Sequence, residues 1–272
     1  MKNTLLLANY QLRAMRTPFL WLLALMGPLE FACMTGGFLY SRGPMFGTPH
    51  QVFPYVLPVL ALSMILAGVL NFSVTVRQNG RARSIYTMMT LPGKRSQVYW
   101  SGVISGVVSV WTVIMVQAAW FLLLYAPVGK MIDHLSRMML DPYVKAGALV
   151  RMPEHSSFIP NGLFLSMIRS RVMRVILPMS LSGFAVILIS VVVPVSCLQA
   201  IACRRGGLRV LHLVLFVCST GCMLFMLALA YTWGGLDACA RKTQLVFTAV
   251  QLCFMLIAVP SALSGLKKAR NL

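Results

Sequence analysis

The residues able to do chemistry are few and scattered. Four histidines, His50, His134, His155 and His212, stand alone along the chain; none falls in H-E-x-x-H, and none has a serine or cysteine at a catalytic spacing. They read as interfacial polar residues, and His134 and Asp141 miss the H-x-x-x-x-D spacing of an acyltransferase. Pro92-Gly93-Lys94-Arg95-Ser96 superficially resembles a phosphate loop. The motif G-x-x-x-x-G-K-[ST] needs glycine at 88 and Ser or Thr at 95, where the chain has Met88 and Arg95. ATP hydrolysis through that motif is excluded here, so any ATP chemistry belongs to another polypeptide. Seven cysteines are spread through mostly apolar runs with no C-x-x-C pair and read as small, soft hydrophobes. Cys218 and Cys222 share a helix face at i, i+4 but lack a third metal ligand nearby. The expectation is a chain that is not itself an enzyme and holds no metal or cofactor of its own.

One carboxyl stands out against this background. Glu30 falls near the middle of a long apolar run, two residues after Pro28. Acids within a membrane are costly and are functional candidates by default. The other reading is a protonated Glu bonded to a neighbouring helix or to backbone freed by the proline kink. Asn71, Gln117 and Gln199 are weaker intramembrane polar candidates of the same kind, suited to hydrogen-bonding helices together. Further along, Ser101, Ser105 and Ser109 recur every four residues beside Gly102 and Gly106. Small residues on one face let helices approach closely, so this face is expected to pack within a helical bundle.

Membrane helices must position these side chains. Of 272 residues, 58% are hydrophobic and 11% charged, with a mean hydropathy of +0.80; an ordinary soluble domain carries roughly 25% charged residues. The fold class is all-α membrane protein. Hydropathy predicts six transmembrane helices at 18–40, 52–76, 98–126, 172–202, 210–233 and 244–264, forming one domain over 1–272. Pro28, Pro58, Pro178, Pro194 and Pro260 fall inside them as kinks. Residues 1–17 are predicted as an interfacial amphipathic helix. Lys2, Asn9, Arg13 and Arg16 share one face of it and Leu5, Ala8, Leu12 and Met15 the other. The opening apolar run is too short for a cleaved signal and the first span too long, so that span is expected to be retained.

The net charge is +19, from 24 Lys and Arg against 5 Asp and Glu. In a soluble chain that excess would suggest nucleic acid; here it follows membrane topology, and no nucleic-acid partner is expected. With both termini inside, the predicted cytoplasmic segments hold Lys2, Arg13, Arg16, Arg77, Arg81, Arg83, Lys94, Arg95, Arg204, Arg205, Arg209, Lys267, Lys268 and Arg270, and no acid. Glu30 is then in a span, with Asp133, Asp141, Glu154 and Asp237 outside. Such basic segments also meet anionic lipid. The outer segment 127–171 is expected to form two short amphipathic helices on the outer leaflet, one over "KMIDHLSRMML" and one over "LFLSMIRSRVMR". Arg169, Arg171 and Arg174 there run against the inside-positive trend.

That topology puts Tyr86-Thr87-Met88-Met89-Thr90-Leu91-Pro92-Gly93-Lys94-Arg95 in the cytoplasmic loop 77–97, between spans two and three. The run resembles the coupling helix of ABC-2-type permeases, the membrane subunits of one class of ATP-binding-cassette exporters, where Y-T-L-L-T-L-P-x-S/K-R precedes a helix re-entering the membrane. The specific motif covers about 25 residues, and the six spans with both termini inside resemble the family over most of the chain. The resemblance implies that Ile85, Tyr86, Met88, Met89, Leu91, Pro92, Lys94 and Arg95 engage a partner ATPase carrying ATP and magnesium. It also implies a second permease subunit, identical or paralogous, and a location in a bacterial plasma membrane. The cargo would be lipid-like, peptide or drug-like, moving along the first, second and part of the fifth span. The family often has a Glu ahead of this helix, where this chain has Arg77, Gln78 and Arg81, so coupling contacts there would be inverted in charge. The alternative is a membrane module that does not transport, such as a bacteriocin-immunity or regulatory partner.

Overall fold

Apolar runs of this length satisfy their backbone within a bilayer only as helices or closed barrels. The computed structural model, which describes residues 2–40, 53–80, 96–146, 170–178, 180–203, 208–236, 239 and 241–268, is helical almost throughout, with no strand among the described residues. The elements are α1 (Lys2–Ala14), α2 (Arg16–Tyr40), a 3-10 turn (Phe53–Val56), α3 (Leu57–Gly80), α4 (Ser96–Lys145), α5 (Arg171–Ile176), α6 (Leu181–Cys203), α7 (Leu208–Trp233) and α8 (Arg241–Lys268). Six of these, α2, α3, α4, α6, α7 and α8, are long and apolar enough to cross a membrane. The chain fits a multi-pass membrane protein.

The bundle is arranged around α6. Of its spanning window 72% is buried, against 22% for those of α2 and α8, and it packs on α3, α4, α7 and α8. A sequence apolar on every side, with Val191, Val193, Val195, Cys197 and Ala200 all buried, is what a central helix requires. The largest core cluster joins α2, α3, α4 and α6 through Met26, Met64, Ile114, Phe121 and Val191. A second cluster ties α4, α6, α7 and α8 together through Tyr99, Cys197, Leu215 and Ala258. Outward-facing Trp21, Leu123, Phe225 and Leu256 are exposed, the surface a lipid-facing helix presents.

Two expectations are corrected. The third span does not end near 126 with a separate short helix beyond it: α4 runs unbroken for 50 residues with Pro127 and Pro142 inside, about 75 Å of helix at 1.5 Å per residue. Proline removes one backbone bond, but packing holds the helix past it. Val128 and Ile132 are buried in the main cluster with Met131 against it, and Thr35, whose hydroxyl donates to Phe31 O at 2.8 Å, rests against Met131 Sδ at 2.9 Å. The fourth span, expected as one run over 172–202, is instead split. Leu177, before Pro178, adopts φ −124° and ψ 75°, since proline disfavours helical backbone in the residue it follows. Ser170 caps α5 by accepting from Met173 N, and Ser180 caps α6 by accepting from Gly183 N at 3.1 Å. Of "LFLSMIRSRVMR", only 170–174 is described; Val172 and Met173 there are buried in the main cluster, not laid on a surface.

Between α7 and α8 the chain turns through Gly234 and Gly235, with φ of 87° and 135°, backbone that disfavours any side chain. Cys239 is sealed beneath this turn at 4% exposure, its thiol directed at Gly235 O at 3.7 Å. Burial pushes that thiol up from its ordinary value, so little nucleophilic thiolate exists at neutral pH. A water-soluble maleimide at pH 7 should leave Cys239 unmodified in the folded protein and modify it after denaturation, read by peptide mass spectrometry. Ready labelling of the native protein would show that the turn does not seal the thiol.

Candidate functional site

Two of the places where buried polar residues gather lie on α4; a third contact joins α8 to α7, where Gln251 Nε2 donates to Ser219 O at 3.0 Å. The first lies where the N-terminal part of α4 meets α1, α3 and α6. Ser101, Ser105 and Ser109 are fully buried, and Gly102 and Gly106 are buried between them. The two glycines are needed for contact. A Cβ on Gly102 would lie 2.7 Å from Gln199 Oε1, and one on Gly106 would lie 2.6 Å from Val195 Cγ1 and 2.7 Å from Asn71 Nδ2. Side chains of α3 and α6 therefore rest directly on the α4 backbone. Asn71 Nδ2 donates to Gly102 O at 2.9 Å, while Thr75 donates to Asn71 O at 3.1 Å.

Ser105 is the junction. Its Oγ stands 2.8 Å from Gln11 Oε1, 2.8 Å from Asn71 Oδ1 and 3.1 Å from Gly102 O. One hydroxyl proton cannot serve three acceptors. Turning the Gln11 amide over gives a directed chain: Gln11 Nε2 donates to Ser105 Oγ, Ser105 donates to Asn71 Oδ1, and Asn71 Nδ2 donates to Gly102 O. Three helices, α1, α3 and α4, are thus tied by uncharged groups. The Gln199 amide nitrogen, buried on the other side of Gly102, has no partner of its own. Interhelical bonds of this kind contribute about 1 kcal/mol each in a membrane. Asn71→Leu, which deletes both Asn71 contacts at similar volume, should lower the thermal midpoint of detergent-solubilised protein by a few degrees without abolishing folding. An unchanged midpoint would show that the network adds no stability.

The second place is the seam between α2 and α4. Trp120 lies flat against Gly27, where a Cβ would meet its ring at 2.6 Å, and Trp120 Nε1 donates to Leu23 O at 3.1 Å. One turn from Gly27, Glu30 is 0% exposed. Gln117 of α4 is the side chain that bears on it, yet neither Glu30 oxygen nor Gln117 Oε1 has a hydrogen-bond partner of ordinary geometry. The contact is close without being a formed bond.

Sequence reasoning named Glu30, Asn71, Gln117, Gln199 and the small face of α4. The structure brings Asn71, Gln199, Ser105 and the two glycines together, and sets Glu30 with Gln117 elsewhere. Ile85, Tyr86, Met88, Met89, Leu91, Pro92, Lys94 and Arg95 lie outside the described residues. Gln11 was missed. The predicted apolar stripe of the first helix included Leu5, which is 58% exposed, whereas Gln11 shares the buried face with Ala8 and Met15. Its place one turn before Met15 and three residues after Ala8 was the available signal. Among the described residues no three His, Cys, Asp or Glu side chains are grouped to hold a metal.

The described residues define a class: a six-helix multi-pass bundle with an N-terminal helix keyed into it by neutral polar contacts. No family model, curated protein or solved structure matches the chain.

Proposed function

We propose that the chain is the membrane subunit of an ABC-2-type exporter, worked by separate ATPase subunits. The observation that carries this reading is the Tyr86–Arg95 run in the link between α3 and α4. An apolar turn closed by Pro92-Gly93 and a basic pair has the chemistry of a helix that docks in a groove of a partner. Three features support it. Arg13, Arg16, Arg77 and Arg209 are exposed near helix ends that six alternating spans would bring to one side, as an inside-positive face requires. The Gln11–Ser105–Asn71 contacts join the N-terminal helix to the two helices flanking the link, so a push there would be shared by three helices. Third, two cavities inside the bundle, one lined by Met64, Ser190 and Met223 and one by Leu60, Ile114 and Leu236, measure only about 30 Å³ each, room for a water or two, whereas an open groove of about 470 Å³ runs along the outer face of α4 at Val107, Trp111, Thr112 and Met115. Cargo of lipid, peptide or drug size would therefore cross on a path completed by a second permease subunit, identical or paralogous. The basic outer segment favours anionic or amphipathic cargo over strongly cationic peptide, and preference for cationic peptide in an export assay would count against that choice.

The test is co-purification. Membranes expressing the tagged chain with a candidate ABC ATPase should yield a complex in which transport depends on ATP and magnesium. If the chain purifies without any ATPase and confers immunity or regulation alone, the module that does not transport is the correct reading.

A further inference from the structure

The seam between α2 and α4 has an imbalance of donors. Glu30 is fully enclosed, and its two oxygens and Gln117 Oε1 are three acceptors without a partner. Met26 and Met34, one turn before and after Glu30, are buried in the main cluster, as are Val113, Ile114 and Phe121 around Gln117. Neighbours of this kind supply no donor. The nearest titratable or charged side chains on the elements packed against α2 are Tyr125 of α4, Arg77 of α3, Tyr55 of the 3-10 turn and Arg13 of α1. Each stands about two helical turns or more from this level. Cys33, three residues on along α2, is the one titratable group nearby, and a thiol is a weak donor.

One added proton resolves the imbalance. A carboxylic acid facing a primary amide closes a two-bond ring, in which Glu30 O–H donates to Gln117 Oε1 and Gln117 Nε2 donates to the other Glu30 oxygen. We infer that Glu30 and Gln117 form a proton-binding site within the membrane, whose exchangeable proton clasps α2 to α4. Without the proton, the carboxylate keeps Gln117 Nε2 as its one side-chain donor, and its charge and the Gln117 carbonyl are left uncompensated in an apolar surround, an arrangement that persists only if water enters or the helices part. Losing the proton is thus coupled to wetting or parting of the α2–α4 seam, and pH acts on that seam. The inference needs only the helical bundle and is independent of the ATPase reading.

Infrared spectroscopy of the purified full chain in lipid nanodiscs reads the site directly. The chain has only 5 Asp and Glu in all, and a carboxylic-acid C=O stretch is well separated from carboxylate bands. At neutral pH the wild type should show one such band, shifted down in D₂O. Glu30→Gln, which replaces the ring by an amide pair of the same size and keeps the fold, should lose it. Gln117→Leu should keep the band but move it to higher frequency, because the acid has lost its amide partner. A neutral-pH spectrum without the band, a band that survives Glu30→Gln, one insensitive to D₂O, or one unmoved by Gln117→Leu would each overturn the inference.

Discussion

Gly106→Leu should reduce the yield of monodisperse protein in mild detergent to near background, whereas Gly221→Leu should leave it unchanged. The contrast lies in what each new Cβ meets. At Gly106 it would lie 2.6 Å from Val195 Cγ1 and 2.7 Å from Asn71 Nδ2. Neither neighbour can withdraw: Val195 sits in central α6 at 5% exposure, and Asn71 is held by its bond to Gly102 O. The remaining leucine atoms would have to push α3 or α6 off α4. Forcing groups into a packed core costs about 3 kcal/mol at the upper part of the usual range, from a total stability of roughly 5–15 kcal/mol. The Asn71–Ser105–Gln11 contacts would be lost with it. At Gly221 nothing lies within 4 Å of the added atom, and leucine is the better helix former. Fluorescence-detected gel filtration with a thermal ramp measures both. Wild-type elution and midpoint for Gly106→Leu would show that α3, α4 and α6 are not packed as described.

How far this core could be read beforehand depended on the range of the interaction. Apolar run length fixes where a chain can cross a bilayer, so the six spans were legible within a few residues at most ends. The four-residue recurrence of Ser101, Ser105 and Ser109 is local, and so marked a face. Glu30 was conspicuous because an acid in such a run is rare. What escaped was set by distant partners. Gln11 is polar by transfer energy, yet it is buried because Ser105, 94 residues away, bonds it. Pro127 reads as a helix end, yet burial of Val128 and Ile132 on the main cluster outweighs one lost backbone bond. Pro178 has the opposite outcome: Leu181 and Ser182, in the turn after it, are exposed, so no burial offsets the lost backbone bond and the helix breaks. Proline position alone does not distinguish the two cases; the packing of the following turn does.

The double substitution Met88→Asp/Met89→Asp should abolish ATPase association while the chain retains its gel-filtration profile. Both residues fall in the sequence between Gly80 of α3 and Ser96 of α4, outside the described helices whose packing governs folding. As the sequence reads, Ile85, Met88, Met89 and Leu91 form the apolar side of a short helix stopped by Pro92-Gly93. Burying a methionine contributes roughly 1.5–3 kcal/mol, so losing two removes about 3–6 kcal/mol of docking energy before any charge is counted. At about 1.4 kcal/mol per tenfold, the complex weakens by at least about a hundredfold. Two unpaired carboxylates entering an apolar groove would weaken it further. Lys94→Ala/Arg95→Ala makes the informative comparison. Exposed ion pairs contribute about 0–1 kcal/mol each, so this variant should lose only a fewfold in affinity and more of its salt dependence. The apolar turn, rather than the basic pair, then carries the association. The ratio of co-purified ATPase to tagged chain, measured at two salt concentrations, separates the outcomes. If the double aspartate variant keeps the wild-type ratio and ATP-dependent transport, the link is not the element the ATPase grips. If the basic pair proves the more damaging change, the grip is electrostatic, and the docking-helix reading of Tyr86–Arg95 is wrong even if an ATPase is the partner.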